Sequence, residues 1–329
     1  METSSTTEAG DSTTGSIVPT DPGCPACTVL VDELVGGRGL ALDETYVYFT
    51  DQSQGTVSRI MKGGGDGGVI VDNQNAPYSI TVDATHIYWT NYTGDGEVMR
   101  ARKDGTESEI IASAPRPRAI AVDETHVYWS TFDSSDGDVY RRVLTQNEPE
   151  EVLARMFGGV PSLALGDGRI YWTAHTTDAG SAFISDPNED LLGGVFSTAL
   201  DGKIDPFTVE TVVTNQAQPW GLTRTASGQL LWANGDGGEP YEPNHIMTWN
   251  AGGGATPLFE GSTAPWGIAT DSERVYWTDN DRVLALPLDG NDADTLAEQQ
   301  NSARSIAVDD AHVFWITRNR VLQRPKSAR

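Results

Sequence analysis

Basic residues are scarce in this sequence. Lys and Arg number 22 against 47 Asp and Glu, for a formal net charge of −25. Binding to nucleic acid needs a basic stripe that replaces phosphate counterions, so nucleic acid is excluded as a partner. No apolar run approaches the roughly 20 residues of a membrane-spanning helix, and no basic start with an apolar stretch marks a signal peptide. Histidine occurs 5 times and cysteine twice; two thiolates alone do not complete a structural zinc site. The motifs G-x-S-x-G and H-E-x-x-H, a phosphate loop and a clear acid/base pair are all missing. No long polar-helix pattern is present either.

Glycine (35 residues) and tryptophan (9 residues) are abundant. The tryptophans sit in a repeat of about forty residues. Its anchors are Tyr48-Phe49, Tyr88-Trp89, Tyr128-Trp129, Tyr171-Trp172, Leu231-Trp232, Tyr276-Trp277 and Phe314-Trp315. Each is preceded by a segment like Ala119-Ile-Ala-Val-Asp123 and followed by two more, like Asp138-Val-Tyr-Arg-Arg142 and Glu151-Val-Leu-Ala154. These are four short strands rich in β-branched and aromatic residues, separated by Gly, Asp and Asn turns. Such a unit is a propeller blade, so the fold expected is all-β, a seven-bladed β-propeller with four antiparallel strands per blade. The motif Trp and Tyr are expected to pack between blades. The small residues of each inner strand are expected to leave room for that packing.

The seventh repeat ends one strand short, and one spare strand, Thr28–Val31, precedes the first repeat. The N-terminal strand therefore completes the last blade and removes the open edge. Residues 24–329 form the propeller. Residues 1–23 hold a Ser/Thr/Gly/Asp-rich tract that cannot bury a core and is expected to be a disordered linker. Such tracts tether exported domains, so an export or lipoprotein signal is expected upstream, with an extracellular, periplasmic or cell-surface location. Cys24 and Cys27 then pair as a local disulfide.

Tyr276-Trp-Thr-Asp279 reads as a full YWTD motif, and Tyr48-Phe-Thr-Asp51 and Tyr88-Trp-Thr-Asn91 nearly so. The repeat resembles that of low-density-lipoprotein-receptor class B-like propellers. It looks more like bacterial exported propellers with V-D-A-T-x-V-Y-W-T-N repeats, here Val82–Asn91. The resemblance covers roughly residues 28–326. It implies the fold and says little of function.

The residue before each inner strand's small residue should ring the channel mouth. In blade order these are Arg38, Tyr78, Arg118, Pro161, Trp220, Trp266 and Arg304. Six of the seven are Arg or aromatic, in a chain poor in basic residues. Arg grips carboxylate, sulfate or phosphate with two N–H groups, and the rings offer a flat apolar surface. The same face carries two long loops, 174–193 and 233–244. They bring His175, Asp178, Asp186, Asp190, Asp236, Glu239, Tyr241 and Glu242. The bland alternative is that the arginines pair with loop carboxylates.

His86, His126 and His312 share one repeat position, too far apart between blades to bind one metal. His175 and His245 are outside the repeat and are candidate ligands or bases. Asp133-Ser-Ser-Asp-Gly-Asp138 resembles a piece of a calcium loop but lacks the bidentate Glu, so tight-turn chemistry explains it. No cofactor or metal is expected, Ca²⁺ being the one ion considered. The function expected is binding of a small molecule, glycan or peptide at the mouth by a monomer. The alternative is a lyase or hydrolase acting there on an anionic sugar or peptide, with His175 or a loop carboxylate as base.

Overall fold

The structure is a computed structural model. It describes residues 20–133, 137–145, 148–156, 158–175, 193–201, 206, 209–235, 244–290 and 292–327. Within them are seven antiparallel sheets arranged as seven blades, six of four strands and one of five. No helix among the described residues is long and apolar enough to cross a membrane.

The aromatic anchors explain the ring. Successive side chains of a strand point to opposite faces, so the Tyr and Trp of each second strand enter different inter-blade spaces. Trp89 packs with Tyr48 of the preceding blade, Trp129 with Tyr88, Trp172 with Tyr128 and Trp315 with Tyr276. The core is accordingly seven separate clusters, one per interface. Six motif tryptophans are at most 1% exposed. A buried indole usually finds a partner for its N–H; Trp129 and Trp172 have none for theirs, and the other four do. Gln74, Gln216 and Gln300 accept from Trp89, Trp232 and Trp315 at 3.0, 3.1 and 2.7 Å, and Ser262 from Trp277 at 3.1 Å.

The ring closes through strand Cys24–Val31, which pairs with Val321–Pro325 in the register Thr28 to Gln323 and Val29 to Leu322. It is four residues longer than the sequence indicates. Its start pairs with a two-residue strand, Thr20–Asp21, that falls inside the stretch assigned to the linker. Cys24 and Cys27 form a disulfide with Cα atoms 5.3 Å apart. Both are buried with Val29 in the core between blades 6 and 7.

The small inner-strand residues serve a different purpose from the one expected. A Cβ on Gly39, Gly221 or Gly267 would stand 2.4, 2.3 or 2.2 Å from the carbonyl oxygen of Tyr78, Trp266 or Arg304 in the next blade. The space they leave is filled by neighbouring backbone, not by the Trp ring.

In five blades the motif Asp follows the inner strand and caps the turn, and blades 4 and 5 have Gly166 and Thr225 there. One oxygen of Asp43, Asp83, Asp123 and Asp271 accepts backbone N–H groups two and three residues on. The other accepts the hydroxyl of Tyr48, Tyr88, Tyr128 or Tyr276 at 2.7–2.9 Å. Lysines of the following blade add ion pairs: Lys103 to Asp43, Lys326 to Asp271 and Lys62 to Asp309, at 3.0, 2.6 and 2.8 Å. Burial disfavours the charged Asp271, but Lys326, two backbone N–H groups and Tyr276 outweigh it and hold the carboxyl at about 2. Asp43, Asp83, Asp123 and Asp309 are lowered in the same way. Burial and then the Asp partner raise the four tyrosines.

A depressed carboxyl stabilises the fold above its unfolded value near ~4, and that stability is lost as pH falls toward about 2. A raised Tyr stabilises below its unfolded value near ~10 and loses this above it. The urea midpoint should therefore be flat between about pH 5 and 9 and fall on both sides. Asp271→Asn should blunt the acid limb. A midpoint unchanged down to about pH 2.5 contradicts this account.

Candidate functional site

All seven residues expected at the mouth, Arg38, Tyr78, Arg118, Pro161, Trp220, Trp266 and Arg304, line one cavity of about 200 Å³. Each precedes the small residue of an inner strand, and the hydroxyl of the Y-W-T motif holds most of them in place. Thr50 donates to the carbonyl of Tyr78 in the next blade, Thr90 to Arg118, Thr173 to Trp220 and Thr278 to Arg304, at 2.7, 3.0, 2.8 and 2.7 Å. Ser130 donates one residue away from the expected position, to Val160 at 2.8 Å. Thr50, Thr90, Ser130 and Thr278 also accept an N–H from their own inner strand. Each hydroxyl thus ties two blades at the level of the mouth. Ala233 and Ile316 replace it in blades 5 and 7, so the carbonyls of Trp266 and Arg38 lack this tie.

These hydroxyls carry a second expected outcome. Thr90→Val keeps the shape but leaves the buried Arg118 carbonyl and Ser79 N–H without their partner. It should cost about 1–3 kcal/mol by urea denaturation, with Thr90→Ser close to wild type. A neutral Thr90→Val would show that the tie is not needed.

The arginines are the unusual part of the site. Arg38 donates its Nε to Gln52 at 2.5 Å and lies over the Tyr78 ring at 5.2 Å. Arg118 is only 8% exposed. Its guanidinium lies 4.1 Å from the Phe132 ring centre, 4.9 Å from Tyr78, 5.1 Å from Trp220 and 5.8 Å from Tyr92. The Nε of Arg304 is buried without a hydrogen-bond partner. None of the three forms an ion pair among the described residues, whereas Arg100, Arg116, Arg141, Arg169, Arg224 and Arg274 all do. The carboxylates of the loops 174–193 and 233–244, with which the alternative reading pairs these arginines, lie outside the described residues. A buried cation without a partner costs several kcal/mol of desolvation. In a chain with 47 acidic residues that cost is avoidable.

The wall against Arg118 is aromatic. Trp220 and Trp266 lie 4.6 Å apart at an interplanar angle of 34°, and Phe132 stacks on Trp220 at 5.9 Å. His175 does not line the cavity. Its N–H donates to the Gly159 carbonyl, a turn that sets the ring edge-on behind Trp220 at 4.5 Å and against Phe132 at 5.3 Å. Burial, and secondarily the Arg118 charge, push its pKa down to about 4 against the Pro219 carbonyl. The ring is therefore neutral at pH 7 and supports the wall.

Asp178, Asp186, Asp190, Asp236, Glu239, Tyr241 and Glu242 lie outside the described residues, as do 134–136 of the calcium-loop-like segment. His245 is buried in the third strand of blade 5, 4.0 Å from Glu260. His86, His126 and His312 pack on Tyr88, Tyr128 and Phe314 at matching distances of 6.3, 5.9 and 5.9 Å, as a repeat position should. No group of three His, Cys, Asp or Glu residues suited to a metal occurs among the described residues.

The chain matches no protein-family model and no curated protein. Its fold is similar to that of virginiamycin B lyase from Staphylococcus aureus, at 14% identity and a TM-score of 0.69, covering 91% of this chain and 98% of that one. It is similar to Kuenenia stuttgartiensis hydrazine synthase at 14% identity and a TM-score of 0.68, covering 96% and 99%. YCF48 bound to D1 peptide aligns at 12% identity and a TM-score of 0.65, covering 92% and 97%. At such identities the likeness is one of fold, and the chain is a seven-bladed β-propeller with solved counterparts.

Proposed function

We propose that this protein is an exported or surface-tethered binding propeller of the YWTD-like kind, which takes an anionic group of a small molecule, glycan or peptide at its channel mouth. The observation that carries this is the convergence of Arg38, Arg118 and Arg304 on one cavity without an ion pair among the described residues. Partly desolvated guanidinium groups bind carboxylate or phosphate more strongly than exposed ones do. The Trp220–Trp266 pair adds a surface for a flat ring. The buried disulfide and the acidic composition support an extracellular or periplasmic setting. A lyase or hydrolase at the same mouth would need a base. The described lining offers no carboxylate or imidazole, so that base would have to come from residues outside the described ones.

Calorimetric titration with benzoate, benzamide and benzylamine tests the proposal, because the three share a ring and differ in charge. Benzoate should bind with one site per chain, benzamide at least about tenfold more weakly, and benzylamine not measurably. Equal affinity for all three would mean that the mouth does not select an anion.

A further inference from the structure

One ring serves two of the mouth arginines. The guanidinium of Arg38 lies over Tyr78 at 5.2 Å from the ring centre, and that of Arg118 at 4.9 Å. The two cations are therefore separated by no more than the sum of these distances. Tyr92 backs the Tyr78 ring at 5.2 Å, and the Phe132 ring centre stands 4.1 Å from Arg118. A ring face attracts a cation, which offsets part of the repulsion between like charges brought this close. Among the described residues no carboxylate lines the cavity to offset the rest.

The donors around this ring outnumber what a carboxylate can use. Gln52 takes only the Nε of Arg38. The two terminal nitrogens of Arg38 and all three side-chain nitrogens of Arg118 make no hydrogen bond among the described residues. None of them is fully buried, and both residues line the cavity. Ser79, next to Tyr78 in the strand, and Ser305 line it too, with hydroxyls that make no hydrogen bond among the described residues. A carboxylate offers two oxygens and one charge. A phosphate monoester offers three acceptor oxygens and a charge of about −1.5 to −2 at neutral pH.

Resting on the anion-binding function proposed above, we infer that the mouth is a site for phosphate monoesters, with Tyr78 as the residue that positions Arg38 and Arg118 for one dianionic group. The phosphate oxygens accept N–H groups of the two arginines and the hydroxyl of Ser79. The ester substituent is left to the part of the cavity lined by Trp220 and Trp266. A phosphodiester or a sulfate ester carries one charge only and gains less from the paired cations.

The test uses the full chain at about pH 8, above the second phosphate pKa of about 6, with phenyl phosphate, phenyl sulfate and benzoate as calorimetric probes. The two esters share a ring and a tetrahedral head and differ in charge. Phenyl phosphate should bind at least about tenfold more tightly than phenyl sulfate or benzoate. Tyr78→Leu should reduce that ratio to about threefold or less, and Tyr78→Phe, which keeps the ring face, should restore it. A Tyr78→Leu protein that weakens all three probes alike would overturn the positioning role. Circular dichroism establishes that each variant is folded, and Arg38→Gln, which should also remove the ratio, replaces Tyr78→Leu if that is not. Glucose 6-phosphate separates the two sources of such a group: binding tighter than phenyl phosphate assigns a phosphosugar, and weaker binding a phosphorylated aromatic ring. Equal affinity for phenyl phosphate and phenyl sulfate would overturn the monoester inference while leaving a mouth that binds anions. Absence of binding by every probe would overturn the inference and the proposed function together.

Discussion

Removal of residues 1–31 is expected to abolish cooperative folding, whereas a chain beginning at Thr20 should melt within about 2 °C of the full protein. The contrast comes from what strand Cys24–Val31 covers. It pairs with Val321–Pro325 and buries Cys24, Cys27 and Val29 against Trp315 and Leu322. Without it the third strand of blade 7 becomes an exposed edge and the interface between blades 6 and 7 opens. Loss of three buried side chains at about 1.5–3 kcal/mol each, with the ladder hydrogen bonds, is comparable to the whole stability of a typical domain. Differential scanning calorimetry of both truncations checks this. Equal melting temperatures would mean that the ring closes by other contacts. Destabilisation on cutting at Thr20 would count against residues 1–19 acting only as a linker.

Arg118→Met is expected to move binding and stability in opposite directions. The guanidinium is buried among four rings and has no carboxylate partner among the described residues. Contact with rings returns about 2 kcal/mol when desolvated, less than the several kcal/mol lost on burying the charge. Methionine fills a similar volume without that penalty. The free protein should therefore gain about 0.5–2 kcal/mol, and benzoate affinity should fall by at least about thirtyfold. Urea denaturation and calorimetry measure the two effects. An arginine kept for packing alone would give the reverse, a less stable protein, and would remove the main support for a binding mouth.

The repeat was legible because each blade restates the same rule. Tyr and Trp on opposite faces of one strand fill two different interfaces, and seven anchors give seven clusters. The mouth was legible for a related reason: it breaks the repeat at a position whose direction the repeat fixes. Contacts across blades were not legible. Nothing local joins Thr90 to Arg118 or Gln216 to Trp232, because their meeting depends on blade spacing. The closing strand was read short because Cys-Pro-Ala-Cys has no β-branched alternation, yet it extends the pairing through a disulfide turn. His175 was assigned to the mouth from its loop, but one backbone hydrogen bond to Gly159 turns it behind the wall. That the mouth arginines form no ion pair among the described residues could be seen only in three dimensions.

The hydroxyl ties between blades have a mechanical consequence. Where a hydroxyl clamps the carbonyl, as at Tyr78, Arg118, Trp220 and Arg304, a wall residue cannot shift without straining two blades at once. Arg38 and Trp266 have no such clamp and flank the clamped Arg304 in ring order. Any adjustment of the mouth to ligands of different length should then be confined to these two positions. The rest of the rim would act as a rigid gauge, with Arg38 and Trp266 as its adjustable jaws.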